Sequence, residues 1–368
     1  MESIQKWTLN NMLSNKKTKT EIPMYIGISV FLGFFLILSI LIAVSIGSTS
    51  IPISSVYKVI IFNIFKIESF AQDAQGPIND VVWLLRFPRI ILAIAVGGAL
   101  SVCGIVMQAI VRNPLADPYI LGVSSGASLG ATSAILLGVG VAFGPSYVGI
   151  LAFVGAFTAA LFVMFIANIG SRANSVKLLL SGLAINAACS SFSSFIIFFA
   201  NNKEGIQSIT FWLMGSLAGA KWSLIPPVYL VTIGGSIFFF TQYRNLNLML
   251  LGDDTSITLG TDLHTARHVY MLVVSLIIGF VVFTSGMIGF IGLIIPHFVR
   301  MIFGTDHKKI IPVSFLAGAI FMVWADLLSR TIIPHTELPI GILISMIGAP
   351  CFIYLLISKS YGFGGREY

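Results

Sequence analysis

Long apolar runs alternate with short polar connectors along most of the chain. A helix needs about 20 apolar residues to cross the hydrocarbon core of a bilayer. Runs of roughly this length predict ten membrane-spanning helices, at residues 24–47, 88–110, 119–138, 148–169, 178–200, 223–243, 269–286, 288–303, 311–330 and 339–358. The pattern therefore predicts an all-α membrane protein in which residues 24–358 form one ten-helix domain.

The order of the predicted spans suggests an internal relation. The second to fifth spans begin on one side of the membrane, and the seventh to tenth begin on the other. If the two sets are related, they form an inverted repeat, an arrangement common among transporters. Only Ser285, Gly286 and Gly289 separate the seventh span from the eighth.

Lysine and arginine are distributed unevenly between the two sets of connectors. With the N-terminus inside, two thirds of the 21 basic residues fall on the cytoplasmic side, as the positive-inside rule requires. This orientation makes the tails at 1–23 and 359–368 and the long connector at 245–268 cytoplasmic. The long connector at 48–85 is then external, and it contains a predicted interfacial helix near Val56 to Phe65.

Composition agrees with a chain that lies mostly in lipid. The 368 residues are 57% hydrophobic and 10% charged, with a mean hydropathy of +0.96, whereas soluble domains are about 25% charged. No soluble domain of ordinary size remains outside the spans. No GxxxxGK[ST] phosphate loop is present either, so ATP hydrolysis by that route has to come from another chain.

Cysteine and histidine give no sign of a metal site. The three cysteines, Cys103, Cys189 and Cys351, lie in apolar stretches and lack metal-ligand spacing. His264 and His268 are four residues apart, but no HExxH pattern accompanies them. We interpret these two histidines as connector residues.

Two arginines lie where a membrane protein ordinarily avoids them. Arg86 and Arg89 precede and enter the second span on its external side, and a cation at a helix N-terminus is disfavoured by about 0.3–1 kcal/mol. Arg330, at the external end of the ninth span, follows Asp326 by four residues, so the two share a helix face and predict an ion pair. We expect these arginines to present basic patches to an acidic partner. The alternative is that they are snorkelling interfacial side chains.

The cytoplasmic connector has its own pattern of helix signals. Asp253, Asp254 and Thr255 are good capping residues, and Gly260 is a plausible C-terminal stop. They predict two short helices outside the membrane. The alternative is an ordinary solvated connector.

Small and polar residues are concentrated between Gly97 and Gly126. Small residues let membrane helices pack closely, and packing accounts for most of the segment. The polar positions could instead face a transport pathway; they are Gln108, Asn113, Ser124 and Ser125. Further along, Pro296 predicts a kink.

A self-contained secondary transporter or channel is a competing class. It would need an ion-coupling site or a charged pore inside the bilayer. Asp326 is the one carboxylate well inside a predicted span, and Arg330 accounts for it. The sequence therefore disfavours this class.

Taken together, the motifs of the chain resemble those of the iron-siderophore and vitamin B12 family of ABC permeases. The similarity runs from about Trp83 to Leu356, and its specificity lies in the order of many short motifs. These motifs are Arg86-Phe-Pro-Arg89, Arg112-Asn-Pro-Leu-Ala-Asp-Pro118, Leu121-Gly-Val-Ser-Ser-Gly-Ala127, Trp212-Leu-Met-Gly-Ser216, Leu251-Gly-Asp-Asp254, Gly289-Phe-Ile-Gly-Leu293, Pro296-His297, Glu337-Leu-Pro-Ile-Gly341 and Gly348-Ala-Pro350.

The resemblance implies a type II ABC importer permease in the bacterial cytoplasmic membrane. It implies a homodimer, or a heterodimer with a close paralogue, two cytoplasmic ABC ATPase subunits that bind ATP and Mg²⁺, and an extracytoplasmic substrate-binding protein. It implies no cofactor in this chain, no enzymatic activity of its own and no nucleic-acid partner. The implied cargo is a ferric siderophore; the alternative is cobalamin or haem in the same architecture.

The resemblance also implies roles for particular residues. Arg86, Arg89 and Arg330 correspond to arginines that meet glutamates on the two lobes of the binding protein. Asn174 and Ser175 resemble the cytoplasmic gate of the family, although Val176 departs from its pattern. The positions implied to receive the motion of the ATPase are Leu251, Gly252, Asp253, Asp254, Thr255, Leu259 and Gly260.

Overall fold

The computed structural model describes residues 2–47, 51–72, 75–170, 174–260, 262–334 and 336–358. The predicted C-terminal tail at 359–368 lies outside these residues. The described part contains fifteen α-helices and no strand: α1 Glu2–Ser45, α2 Ile53–Phe65, α3 Pro77–Asn79, α4 Phe87–Val111, α5 Val123–Leu137, α6 Tyr147–Asn168, α7 Ser175–Phe199, α8 Lys203–Leu213, α9 Ile225–Thr241, α10 Tyr243–Leu250, α11 Asp253–Thr258, α12 Leu263–Ser285, α13 Ile291–Phe303, α14 His307–Thr331 and α15 Ile340–Ser358.

Each of the ten predicted spans falls on one of these helices, but not every helix is long enough to cross a membrane alone. Among the described residues, six helices meet that length, or seven if α9 and α10 form one span bent by 63°. The apolar helices α5 and α13 are shorter, with 15 and 13 residues, and α15 has 19. Turns shorten two of them: α5 begins after Gly122 (φ 73°) and α13 after Phe290 (φ 67°). The predicted number of ten is therefore not established by length.

Helix α4 forms the centre of the molecule. In its most apolar stretch, 94% of the residues are buried, and it packs against α9, α12, α13 and α14. Glycine allows two of these approaches, because a Cβ on Gly97 or Gly104 would collide with the carbonyl oxygens of Gly318 and Gly292. The predicted packing role of this small-residue segment is confirmed. The buried Gln108 accepts a hydrogen bond from Arg300, so it ties α4 to α13.

Two predictions about the polar ends have different outcomes. The predicted interfacial helix is present as α2, and its Val56 and Val59 face the protein. The cytoplasmic tail at 1–23 stays a prediction. Its backbone is helical and continuous with the first span, so that α1 runs from Glu2 to Ser45.

Candidate functional site

An ion-pair cluster joins α4 to α14 at the end of the molecule predicted to be external. Arg89 lies in the first turn of α4, and its Nε is 2.6 Å from Oδ1 of Asp326 on α14. Its Nη1 is 2.8 Å from Oε2 of Glu337, in the connector between α14 and α15. The predicted pair between Asp326 and Arg330 also forms, with Oδ2 and Nε 3.1 Å apart. One buried carboxylate therefore faces two guanidinium groups.

The same cluster holds the end of α1. Arg86 donates from Nη1 to the carbonyl oxygens of Val44 and Ser45, at 3.1 and 3.2 Å. Arg330 donates from Nη2 to the carbonyl oxygen of Ala43 at 3.1 Å. The last carbonyls of a helix lack partners within it, and cations there are stabilising. The two arginines thus cap α1 and fix it against α4 and α14.

This arrangement corrects the expectation that the three arginines form exposed patches. Arg86, Arg89 and Arg330 are only 5%, 7% and 5% exposed, so they do not snorkel at an interface either. Sequence reasoning omitted α1, whose carbonyls compensate the desolvated cations. The side chain of Glu337 is 47% exposed, which makes it the accessible member of the cluster.

The connector predicted to be cytoplasmic contains one of the two predicted short helices, α11; residues 263–268, where the second was expected, instead begin the long α12, and the short α10 precedes Leu251. Gly252, at φ 107°, precedes α11 as its N-cap, so Asp253 does not cap the helix as expected. Instead its carboxylate pairs with both terminal nitrogens of Arg267 at 2.7 and 3.0 Å. This bidentate contact fixes α11 against α12. Gly260, at φ 85°, ends the segment as predicted.

This connector exposes large apolar side chains, although most of the residues around them are polar. Leu251, Ile257 and Leu259 are 57%, 58% and 58% exposed, and Asp254 and Thr255 are exposed beside them. Large apolar side chains exposed in and beside a short helix are typical of a surface that binds another protein.

A polar junction that the sequence did not reveal joins α10 to the start of α14. Asn247 donates from Nδ2 to Oδ1 of Asp306 at 2.9 Å. Its Oδ1 accepts from the backbone N–H of His307 at 2.9 Å and lies 2.6 Å from the imidazole Nδ1 of that residue. The one sequence signal for this junction was Asp306, a good helix-capping residue directly before the start of α14 at His307. These contacts attach the connector to the start of α14, which carries Asp326 near its other end.

The residues compared to a cytoplasmic gate lie at the start of α7. Asn174 caps the helix, because its Oδ1 accepts the backbone N–H of Lys177 at 2.8 Å. Ser175 donates from Oγ to the carbonyl oxygen of Ile110 at 3.2 Å. These contacts tie the start of α7 to the end of α4. The gate itself stays a prediction.

The histidine pair is placed differently from its prediction. His264 and His268 lie in the first two turns of α12, not in a connector. No group of three or more His, Cys, Asp or Glu within the described ranges is arranged to hold a metal ion.

Comparison with known proteins identifies the family. The model of the FecCD transport family matches residues 35–358. The cobalamin import system permease protein BtuC of Halobacterium salinarum is 40% identical over 276 residues, 75% of this chain and 73% of the relative. The hemin transport system permease protein HmuU of Yersinia pestis is 36% identical over 338 residues, 90% of this chain and 96% of the relative.

Structural comparison leads to the same family. A metal-chelate type ABC transporter in an inward-facing conformation superposes with a TM-score of 0.77 at 28% identity, covering 90% of this chain and 99% of that one. The resemblance drawn from the ordered motifs is therefore confirmed. The chain belongs to the FecCD transport family and is an ABC transporter permease.

Proposed function

We propose that this permease imports ferric siderophores, delivered by an extracytoplasmic binding protein and driven by two cytoplasmic ATPase subunits. The proposal narrows the class of iron-chelate, vitamin B12 and haem importers to which the family match and the relatives assign the chain. The ATP-driven part of the proposal is supported by the exposed Leu251, Ile257 and Leu259, in the connector where the resemblance expects an ATPase. ATP and Mg²⁺ would bind to that partner. The siderophore cargo is supported by the resemblance of the ordered motifs.

A second copy of the chain completes the proposed pathway. On α7, Asn186, Ser190 and Ser194 repeat every four residues and are exposed, so they form one polar row on an apolar helix. Lipid tails cannot hydrogen-bond such side chains. We therefore place the row against a second subunit, with the pathway between the two copies.

Docking of the binding protein is proposed at the arginine cluster. Glu337 accepts a hydrogen bond from Nη1 of Arg89 and is the exposed member of the cluster. A carboxylate of the binding protein would displace Glu337 and take over this contact. Because Glu337→Gln removes the competing charge, the variant should bind its binding protein more tightly, in a titration with the purified permease. Weaker or unchanged binding would count against displacement.

Import of cobalamin or haem is the second candidate. It is favoured by the names of the relatives and by an apolar cleft of about 550 Å³ at the predicted external end. Met214, Met287 and Met346 line this cleft, and methionine adapts to large apolar surfaces. Such a cleft suits the face of a tetrapyrrole ring as well as a siderophore.

Reconstitution tests the proposal and its alternative. The permease would be placed in liposomes with its ATPase and binding protein, and uptake of a ferric siderophore, haem and cobalamin compared. We expect ATP-dependent uptake of the ferric siderophore. Preferred uptake of haem or cobalamin would establish the second candidate, and concentrative transport by the permease alone would overturn the ABC mechanism.

A further inference from the structure

A groove of about 660 Å³ runs along the outer surface between α6 and α12. Its apolar part is lined by Leu161 and Phe165 on α6 and by Leu272 on α12. From Leu161 to Ile169 and from His264 to Leu272 the lining advances by eight residues, which corresponds to about 12 Å at 1.5 Å per residue. This length is somewhat less than half of a hydrocarbon core of about 30 Å. The length of the groove along the helices is therefore close to the thickness of the hydrocarbon part of one leaflet.

The groove ends in a polar cluster where α6 stops and α12 begins. Asn168 donates from Nδ2 to His268 Nε2 at 2.9 Å. The other ring nitrogen of His268, Nδ1, then donates to the carbonyl oxygen of His264 at 2.7 Å. The His264 ring is packed against that of His268, with 4.3 Å between centroids, and His264 is exposed.

Charge at this end favours an anion. Lys177 donates from Nζ to the carbonyl oxygen of Ile169 at 3.0 Å, and Ile169 itself lines the groove. Asp262 is the nearby carboxylate, and its oxygens accept the backbone N–H and the hydroxyl of Thr265. Its hydrogen-bonding capacity is thus directed into the α12 cap. The two imidazoles line the groove, and Lys177 is attached to its edge through the carbonyl oxygen of Ile169.

We propose that this groove binds one anionic phospholipid of the leaflet at this end. An acyl chain would lie along Leu161, Phe165 and Leu272, and the headgroup phosphate would contact His264 and Lys177. Both helices are long and apolar enough to span the membrane, so the apolar part of the groove lies at a depth that lipid tails occupy. A phosphate there gains from imidazole and ammonium donors.

The position of the site gives the lipid a consequence. His264 is the second residue of α12, and Arg267 in the next turn holds Asp253 of α11. A lipid bound to the first turns of α12 would therefore stabilise the part of α12 that holds α11 through the Arg267–Asp253 ion pair. Lipid composition would then influence the segment proposed to meet the ATPase.

Native mass spectrometry of the full chain in detergent tests the site. The permease would be incubated with phosphatidylglycerol or with phosphatidylcholine of identical acyl chains, and retained lipids counted. We expect one tightly retained phosphatidylglycerol per chain and about tenfold weaker retention in His264→Ala, from the loss of one hydrogen bond to a charged group. Lys308→Ala, at the start of α14, is the matched control and should retain the lipid.

A second pair of variants tests the acyl-chain part. Leu161→Trp fills the groove and should abolish the retained phosphatidylglycerol. Ile37→Trp, at a similarly exposed site on α1, should not. Equal retention of both lipids by the wild-type chain, or full retention by Leu161→Trp and His264→Ala, would overturn the proposal.

Discussion

At the scale of single residues, the arginine cluster shows how burial changes the meaning of a charge. Arg89 and Arg330 both face Asp326, which is fully buried. Burying unpaired charges is very costly, and removing one partner of a buried pair leaves that cost uncompensated. The cluster therefore stabilises the fold, whether or not a partner also binds to it at Glu337.

Replacing Asp326 tests this structural role. Asp326→Asn should lower the free energy of unfolding by about 3–5 kcal/mol, because two buried guanidinium groups lose their shared counter-charge. Chemical unfolding of the purified permease in detergent measures the change. Asp80→Asn, at an exposed carboxylate near the same end, should change stability by less than about 0.5 kcal/mol. Similar stability for both variants would mean that the cluster contributes little.

Asp117 makes a prediction about pH. It lies in the connector before α5, where burial raises its pKa to about 6, above the unfolded value of about 3.9. A raised carboxyl pKa means that the folded state binds the proton more tightly, so this residue should add stability as pH falls from above 6 towards 4.

Asp117→Asn separates that titration from the structural role of the side chain. The amide oxygen can still accept the backbone N–H of Tyr119, now 2.8 Å from Oδ1 of Asp117. Unfolding measured between pH 4 and pH 7 should therefore show a smaller gain on acidification in the variant. An identical pH profile in both proteins would show that Asp117 does not titrate in this range.

At the scale of helices, the sequence predicts positions better than lengths or contacts. Each of the ten predicted spans coincides with a helix because apolar periodicity is a local signal. The lengths of α5 and α13 depended on turns at Gly122 and Phe290. The burial of Arg86 depended on α1, about 40 residues earlier in the chain, and a local pattern contains no such contact. The inverted repeat stays a prediction.

The connector gives the sharpest prediction at this scale. Replacing Leu251, Ile257 and Leu259 together by Ser should weaken binding of the ATPase at least about tenfold, because each exposed side chain loses apolar area that would be buried in the complex. Co-purification and nucleotide-hydrolysis assays with the assembled transporter measure the loss. Ile64→Ser on α2, equally apolar and exposed, is the control and should assemble normally. Normal assembly of the triple variant would exclude this face as the ATPase site.

At the scale of the whole molecule, α14 connects the two functional ends. Its first residue meets Asn247 of α10, and its last turns carry Asp326 and Arg330. This 25-residue helix is long enough to span the membrane. We propose that it carries movement of the connector to the cluster at the opposite end, as alternating access would require.

The central helix α4 is buried within one copy, whereas only 11% of the most apolar stretch of α7 is buried. We propose that the polar row on α7 packs against a second subunit, and cross-linking tests that arrangement. In a Cys189→Ala background, Ser194→Cys should form a disulfide-linked dimer in membranes under mild oxidation. Ile37→Cys on α1, also on an exposed apolar surface, should remain monomeric. Dimers from Ile37→Cys with none from Ser194→Cys would move the subunit interface, and with it the proposed pathway, from α7 to α1.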